Sequence, residues 1–245
     1  MNKMPEIRNN FLSFLSNHPD AKDFVIYMEK NADLILFGGC IRDYMEHRFT
    51  EPPRDFDIVL NNSNLDLETL IYSSLNSLDY SVYKNRFGGY KIFISDLKFD
   101  IWEIQKTWAF QEKKVSYSSF EDLNKTVFLN IDSLFYNLST CILYDEGYRE
   151  ALTRSELDII LKDNPYPELN LARAFRFKSK YGLDFSSKLK DFFYSWLSNF
   201  ENDKIALNIL KEIEIKRYNS SLVEVEWETI RNIDYNTRKE PVELF

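Results

Sequence analysis

The chain has 245 residues, 44% of them hydrophobic and 16% aromatic, with only 6 glycines and 7 prolines; it can bury a substantial core, which excludes a disordered chain or a turn-rich repeat. Lys plus Arg number 31 against 39 Asp plus Glu, for a formal net charge of -8, which disfavours broad attraction to phosphate backbones and confines any nucleic-acid contact to a local patch. The only histidines, His18 and His47, argue against a histidine-ligated metal, and Cys40 and Cys141 read as buried free thiols rather than a disulfide framework.

In chain order, the N-terminus alternates polar and apolar residues and lacks the apolar core of a signal peptide. No run approaches the ~20 apolar residues of a membrane helix, so the expectation is a cytoplasmic protein without membrane contact. Ile7, Phe11, Phe14, Leu15, Phe24, Val25 and Met28 recur near helical period with a break at Pro19, which predicts two helices. LILFGG reads as a strand ending in a glycine turn, CIRDYMEHRF as a helix, and PPRDFDIVLN as a loop into a second strand. LDLETLIYSSLNSL carries an amphipathic stripe through Leu67, Leu70, Ile71 and Leu75.

Three further strands follow in YSVYKN, YKIFISD and KFDIWEIQ, with Gly88 and Gly89 in a hairpin turn and Arg86 an exposed hairpin charge. TVFLNIDSLFYN and STCILYD add strands or cover the sheet. Beyond Pro167 four segments have helical spacing. The whole reads as an α+β domain with a central mixed sheet flanked by helices, residues 1–155, followed by an all-helical domain, residues 156–245. The four tryptophans suit core or interface positions better than base-stacking ones.

Asp55 and Asp57 are the sharpest chemical feature. Residues i and i+2 of a strand point to one side, so this pair can grip one hard cation. Taken alone, Asp-x-Asp also suits a solvated strand start. Upstream, Gly38 and Gly39 allow close backbone approach to a phosphate, and the helix N-terminus after them favours anions. Arg42, one turn into that helix, is expected to reach a triphosphate, with Asp43 orienting the loop. A third carboxylate belongs on a neighbouring strand, where Asp100 stands; it suits a general base better than His47, which falls at the surface.

FGGCIRD followed by RDFDIVL resembles the head domain of tRNA nucleotidyltransferases (CCA-adding enzymes) and bacterial poly(A) polymerases, within the polymerase β-like nucleotidyltransferase superfamily. The resemblance implies that Gly38, Gly39 and Arg42 hold the triphosphate of an incoming nucleoside triphosphate and that Asp55 and Asp57 bind magnesium. EDLNKTVFLNIDSLFYN occupies the place of the family's EDL-x-RRDFTINAL, with Lys125 as the basic nucleotide contact, although the Arg-Arg-Asp signature is absent. ILYDEGYREAL is similar to the family's turn before the helical neck. NLARAFRFKSKYGLDFS is similar to the neck signature LRAVRFAAKLGF and carries over Arg173 and Arg176, which form a basic cluster with Lys178 and Lys180; a solvated helix face is the plainer reading of that cluster.

The family reads its base with an Asp-x-x-Arg pair, and this chain has Pro167 and Asn170 there. Neither offers those hydrogen bonds, so ordinary CCA selection by that pair is not expected. The implied activity is transfer of a nucleoside monophosphate from a nucleoside triphosphate to an acceptor hydroxyl, with two magnesium ions on Asp55, Asp57 and Asp100. An RNA or tRNA 3′ end is the leading acceptor. Nucleotidylation of a protein or small molecule, and a nucleotide- or partner-binding module without turnover, are the alternatives. Base preference, the number of nucleotides added and oligomeric state are not legible.

Overall fold

The computed structural model describes residues 2–75, 79–220 and 222–237. Residues 76–78 and Ser221, which the sequence reading includes in helical segments, lie outside them. The elements in chain order are β1 (Asn2–Lys3), α1 (Pro5–Leu15), α2 (Pro19–Asn31), β2 (Ala32–Phe37), α3 (Gly39–His47), β3 (Phe56–Ser63), α4 (Leu67–Ser74), β4 (Tyr80–Lys84), β5 (Tyr90–Ile94), β6 (Leu97–Glu103), α5 (Trp108–Gln111), β7 (Phe135–Asn137), β8 (Ile142–Tyr144), α6 (Glu146–Arg154), β9 (Glu156–Leu157), α7 (Pro167–Tyr181), β10 (Asp184–Phe185), α8 (Ser187–Leu197), α9 (Asp203–Tyr218) and α10 (Leu222–Thr237). The two N-terminal helices, the helix after the glycine pair and the three strands of the 80–103 region stand where the sequence predicts them. Pro5 and Pro19 each open a helix, where a missing N–H costs nothing.

The chain folds as two compact units. The first comprises the residues up to Val127 together with Asp132–Tyr148; the second comprises Phe128–Ile131 and the residues from Arg149 onward. The division falls within α6. Phe128–Ile131 joins the second unit because Asn130 is tied there: its N–H donates to the Asp158 carbonyl (3.0 Å), its amide nitrogen donates to the Glu156 carbonyl (3.0 Å), and its amide oxygen accepts from the Asp158 N–H (3.0 Å).

The first unit is built on a mixed sheet of eight strands among the described residues, in the order β1-β8-β7-β2-β3-β6-β5-β4. β3 and β6 are parallel and the other neighbours antiparallel. The segments of uncertain role around residues 127 and 141 supply β7 and β8, which extend the sheet beside β2. Alternation along β3 sends Phe56 and Ile58 to one face, and β6 sends Phe99 and Ile101 to the same face. There Phe56 and Phe99 stack at 5.3 Å between ring centroids, Phe11 of α1 meets Phe56 at 5.4 Å, and Phe24 of α2 meets Phe99 at 5.6 Å. One aromatic core therefore pins two helices to the sheet, and the opposite face carries Asp57, Lys98, Asp100 and Lys91.

The second unit is mainly helical, as expected, with one short parallel pair, β9 with β10. α7, α9 and α10 pack together around Phe175, Phe193 and Trp227, whose rings lie 5.2–6.0 Å apart. Trp196 and Trp227 are buried, as their composition-based reading expects. Glu214 on α9 is fully buried, and its carboxyl oxygens accept from the N–H groups of Leu222 (3.0 Å) and Val223 (2.9 Å) and from the Ser220 hydroxyl (3.0 Å). It thereby caps the first turn of α10 from a neighbouring helix, satisfying N–H groups that have no intrahelical partner. Glu214→Ala leaves those donors buried and unpaired, and the expected result is a loss of about 3 kcal/mol in urea unfolding, with Glu214→Gln losing less.

Among the described residues no helix is long and apolar enough to cross a membrane. Both cysteines are free; Cys40 is buried as expected, whereas Cys141 is only half-buried.

Candidate active site

The glycine pair follows β2 directly. Leu36 of β2 pairs with Ile58 of β3, so the end of one strand lies beside the start of the other and the glycine turn beside the aspartates. Gly38 has φ +61°, a left-handed conformation that disfavours any side chain, and its N–H donates to the Leu134 carbonyl (2.9 Å). A Cβ at Gly38 would meet nothing within 4 Å and one at Gly39 only an Arg42 nitrogen at 3.6 Å, so the turn is open. Gly39 starts α3, whose first turn holds no acidic residue, which keeps its N-terminus favourable to an anion.

Asp55 stands just before β3 and Asp57 within it, and Asp57 pairs in register with Asp100 of the parallel strand β6. The three carboxylates predicted from sequence therefore share one face. Burial pushes the Asp57 carboxyl up to about 7, and the negative charges of Asp55 and Asp100 add to the rise against the opposing pull of Arg54 and Lys98. Asp55 behaves oppositely. Burial would raise it as well, but a hydrogen bond from Lys98 and the charge of Arg54 outweigh burial and hold it below its ordinary value. The same neighbourhood, with burial as the main cause, pushes the Cys40 thiol up and makes it a poor nucleophile.

Lys98 is the residue the sequence reading missed. Its ammonium donates to Asp55 at 2.8 Å and lies 3.4 Å from Asp100, while Lys91 lies 3.4 Å from the other Asp100 oxygen. The signal was present: Lys98 is two residues before Asp100 in a strand, hence on the same face. Arg54, beside Asp55 at 3.3 Å, was also passed over. Among the described residues no three His, Cys, Asp or Glu side chains are grouped to hold a metal ion. The donor set nevertheless fits a hard divalent cation. All its oxygens are carboxylate oxygens on or beside adjacent strands, and the rise of Asp57, caused first by burial and then by its acidic neighbours, is of the kind that a cation there would relieve.

The other residues singled out in the sequence each have partners within the protein. Arg42 is buried; its guanidinium donates to the buried Asp132 carboxylate, and one of its nitrogens lies 3.6 Å from where a Cβ on Gly39 would stand. Lys125 is largely exposed and donates to Asp122 at 2.7 Å. Asp122 also accepts from Ser118 and Ser119 and caps a short turn; the Lys125 bond is the main reason its carboxyl falls well below the usual range. His47 is exposed beside Glu46, as expected.

In the second unit Arg173 and Arg176 are half-buried on α7, with Arg173 over the Phe177 ring at 5.8 Å and Arg176 over the Tyr218 ring at 4.6 Å. Lys178 is buried and pairs with Asp184 (2.9 Å) and Glu226 (3.5 Å), so it does not belong to an exposed basic cluster. Pro167 is the first residue of α7, and the Asn170 amide donates to the Pro165 carbonyl at 2.9 Å. Both residues are committed to starting the helix.

No family model and no curated protein matches the chain. Solved structures do. A tRNA-processing enzyme in an apo form is similar with a TM-score of 0.61 and 15% identity over 88% of this chain and 56% of its own. A tRNA nucleotidyltransferase complexed with a primer tRNA and an incoming ATP analogue gives a TM-score of 0.60 and 16% identity over 91% of this chain and 63% of its own. The Thermotoga maritima CCA-adding enzyme complexed with tRNA gives 0.56 and 17% over 86% and 50%. The chain thus spans between half and two thirds of the length of these neighbours. With the glycine turn, the register-paired aspartates and these likenesses together, the chain carries the fold of the CCA-adding tRNA nucleotidyltransferases.

Proposed function

We propose that this chain is a magnesium-dependent nucleotidyltransferase that joins a nucleoside monophosphate to an RNA 3′ hydroxyl. The observation that carries the reading is the register pairing of Asp57 with Asp100, with Asp55 on the same face and the open Gly38–Gly39 turn beside them. That neighbours of this fold were solved with CTP, an ATP analogue and tRNA supports the substrate classes.

The turn at Gly38 and Gly39 receives the triphosphate against the N-terminus of α3, and Arg42, held by Asp132 with its guanidinium beside Gly39, adds its positive charge there. Asp55, Asp57 and Asp100 would hold magnesium, which supplies charge neutralisation at the phosphates and acidifies the attacking hydroxyl. Asp100 receives the proton of the acceptor hydroxyl. The new bond joins that oxygen to the α-phosphorus, the bond from the α-phosphorus to the β-phosphate oxygen breaks, and pyrophosphate leaves. Lys98, released from Asp55 and Asp100, supplies a positive charge beside the phosphates. Lys125, Arg173 and Arg176 are assigned to the nucleotide by the sequence resemblance alone. Because Asn170 and Pro167 serve the helix start, base choice rests on other groups, and discrimination between CTP and ATP by that pair is absent.

One observation favours a second reading. Lys98 already neutralises two of the three carboxylates, as suits a module that binds nucleotide or a partner without turnover. The test is incubation with magnesium, each α-labelled nucleoside triphosphate and total RNA. Label on a discrete RNA band, lost in the Asp55→Ala, Asp57→Ala double variant, is the expected result. Label on protein moves the acceptor to another class, and nucleotide binding without any transfer establishes the binding module.

A further inference from the structure

The carboxylate face of the sheet continues past Asp100 to the sheet edge. Asp57 pairs with Asp100, Asp100 with Lys91 of β5, and Lys91 with Tyr83 of β4, so these four residues form one row across four strands. A second row runs alongside: Lys98 pairs with Phe93, and Phe93 with Ser81. Directly opposite residues share a face, and the contacts agree, since Lys91 and Lys98 both reach Asp100 and the Tyr83 and Phe93 rings meet edge to face at 6.1 Å. Alternate residues Tyr90, Ile92 and Ile94 are buried on the other side. Tyr83 is 60% and Phe93 38% exposed, although aromatic rings of that size ordinarily bury themselves. Strand spacing sets the distance from Asp57 to Tyr83 at about 14 Å.

We propose that Tyr83, Phe93 and Lys91 form a docking platform for the single-stranded 3′ end of an RNA acceptor, leading its terminal hydroxyl toward Asp55, Asp57 and Asp100. The inference rests on the nucleotidyltransferase reading above and names its acceptor surface. Two exposed ring systems on an open sheet accept bases by stacking without demanding a sequence. Lysines interleaved with them match a phosphate backbone, in a chain whose overall charge of -8 offers such a backbone little elsewhere. The lysines beside the rings decide against a protein segment as occupant, because they match the evenly spaced negative charges of a phosphate backbone and the rings match its bases. Lys91 and Lys98 are held by the carboxylates until a cation takes these, so the lysines become available to phosphates when the site is loaded.

The experiment uses the full chain with magnesium and a short fluorescein-labelled single-stranded RNA bearing a free 3′ hydroxyl, read by anisotropy, with nucleotide binding and transfer to RNA measured in parallel. The Tyr83→Ala, Phe93→Ala double variant is expected to weaken RNA binding about 10- to 100-fold while nucleotide affinity stays at the wild-type value, and Tyr83→Trp, which keeps a stacking surface, is expected to retain binding. Lys91→Gln is expected to flatten the salt dependence by about 0.7 in log–log slope. Wild-type-like binding and transfer in the double variant overturns the platform and leaves the transferase reading standing. A wild-type chain that neither binds nor labels RNA overturns that reading and the platform with it, and tighter binding of blunt duplex than of single strand overturns the platform alone.

Discussion

Asp57→Asn is expected to abolish the proposed nucleotide transfer and, at alkaline pH, to leave a protein more stable than the wild type. The loss in rate is expected to be about 1,000-fold or more, because the substitution removes a charge that acts on the reacting phosphate. The gain in stability follows from the same geometry. Burial, with the charges of Asp55 and Asp100 adding to it, pushes the folded-state pKa of Asp57 up to about 7, whereas in the unfolded chain it titrates near the ordinary ~3.9. Below both values the group is protonated in either state and contributes nothing. As pH rises between them the folded state binds more protons than the unfolded one, so stability falls, and it stays lower above pH 7. The full shift is equivalent to about 4 kcal/mol; water reaching the half-buried side chain reduces it. Thermal melts of the two proteins without magnesium check this: the variant should melt higher at pH 8 and the gap should close toward pH 4. A variant that melts below the wild type at pH 8 would show that Asp57 carries no such penalty.

Asp132→Ala is expected to destabilise the first unit by about 3–5 kcal/mol, because it leaves the Arg42 guanidinium buried without its carboxylate partner. For a chain of this size that corresponds to a fall of about 10 °C in Tm. The Arg42→Ala, Asp132→Ala double variant should lose less than the sum of the two single variants, since the second change removes the charge stranded by the first. An Arg42 whose main partner was the triphosphate would give the reverse pattern, with Asp132→Ala leaving Tm unchanged and Arg42→Ala raising KM.

The fate of Arg42 shows where sequence reading stops. A basic residue one turn after a glycine pair has one address in sequence and two in space, and a side chain as long as arginine reaches either. Its carboxylate partner in the structure, Asp132, lies 90 residues away in sequence, on a segment whose motif resemblance was faint. Lys98 failed to register for a different reason: it obeys the same i, i+2 rule that identified Asp55 and Asp57, but a lysine in a strand carries no signature until a carboxylate is found opposite it. Asn170 and Pro167 are read from chemistry alone. Their inability to read a base follows from side-chain chemistry, and the structure adds that both are engaged in opening α7.

By itself the sequence determined the elements of residues 5–103, the pairing of a glycine turn with an Asp-x-Asp strand, the third carboxylate, and the mainly helical character of the C-terminal part. These are local properties, set by the two periodicities of backbone geometry, by glycine's freedom at positive φ and by the donor chemistry of single side chains. Only the tertiary structure decided that Asp57 and Asp100 stand in one register, that Lys98 pairs with Asp55 and Asp100, that Arg42 turns inward to Asp132, and that a row of residues runs from the carboxylates to Tyr83. Each of these depends on which strands are neighbours and in what register, and register is fixed by the packing of distant apolar residues such as Phe11, Phe24, Phe56 and Phe99 on the opposite face.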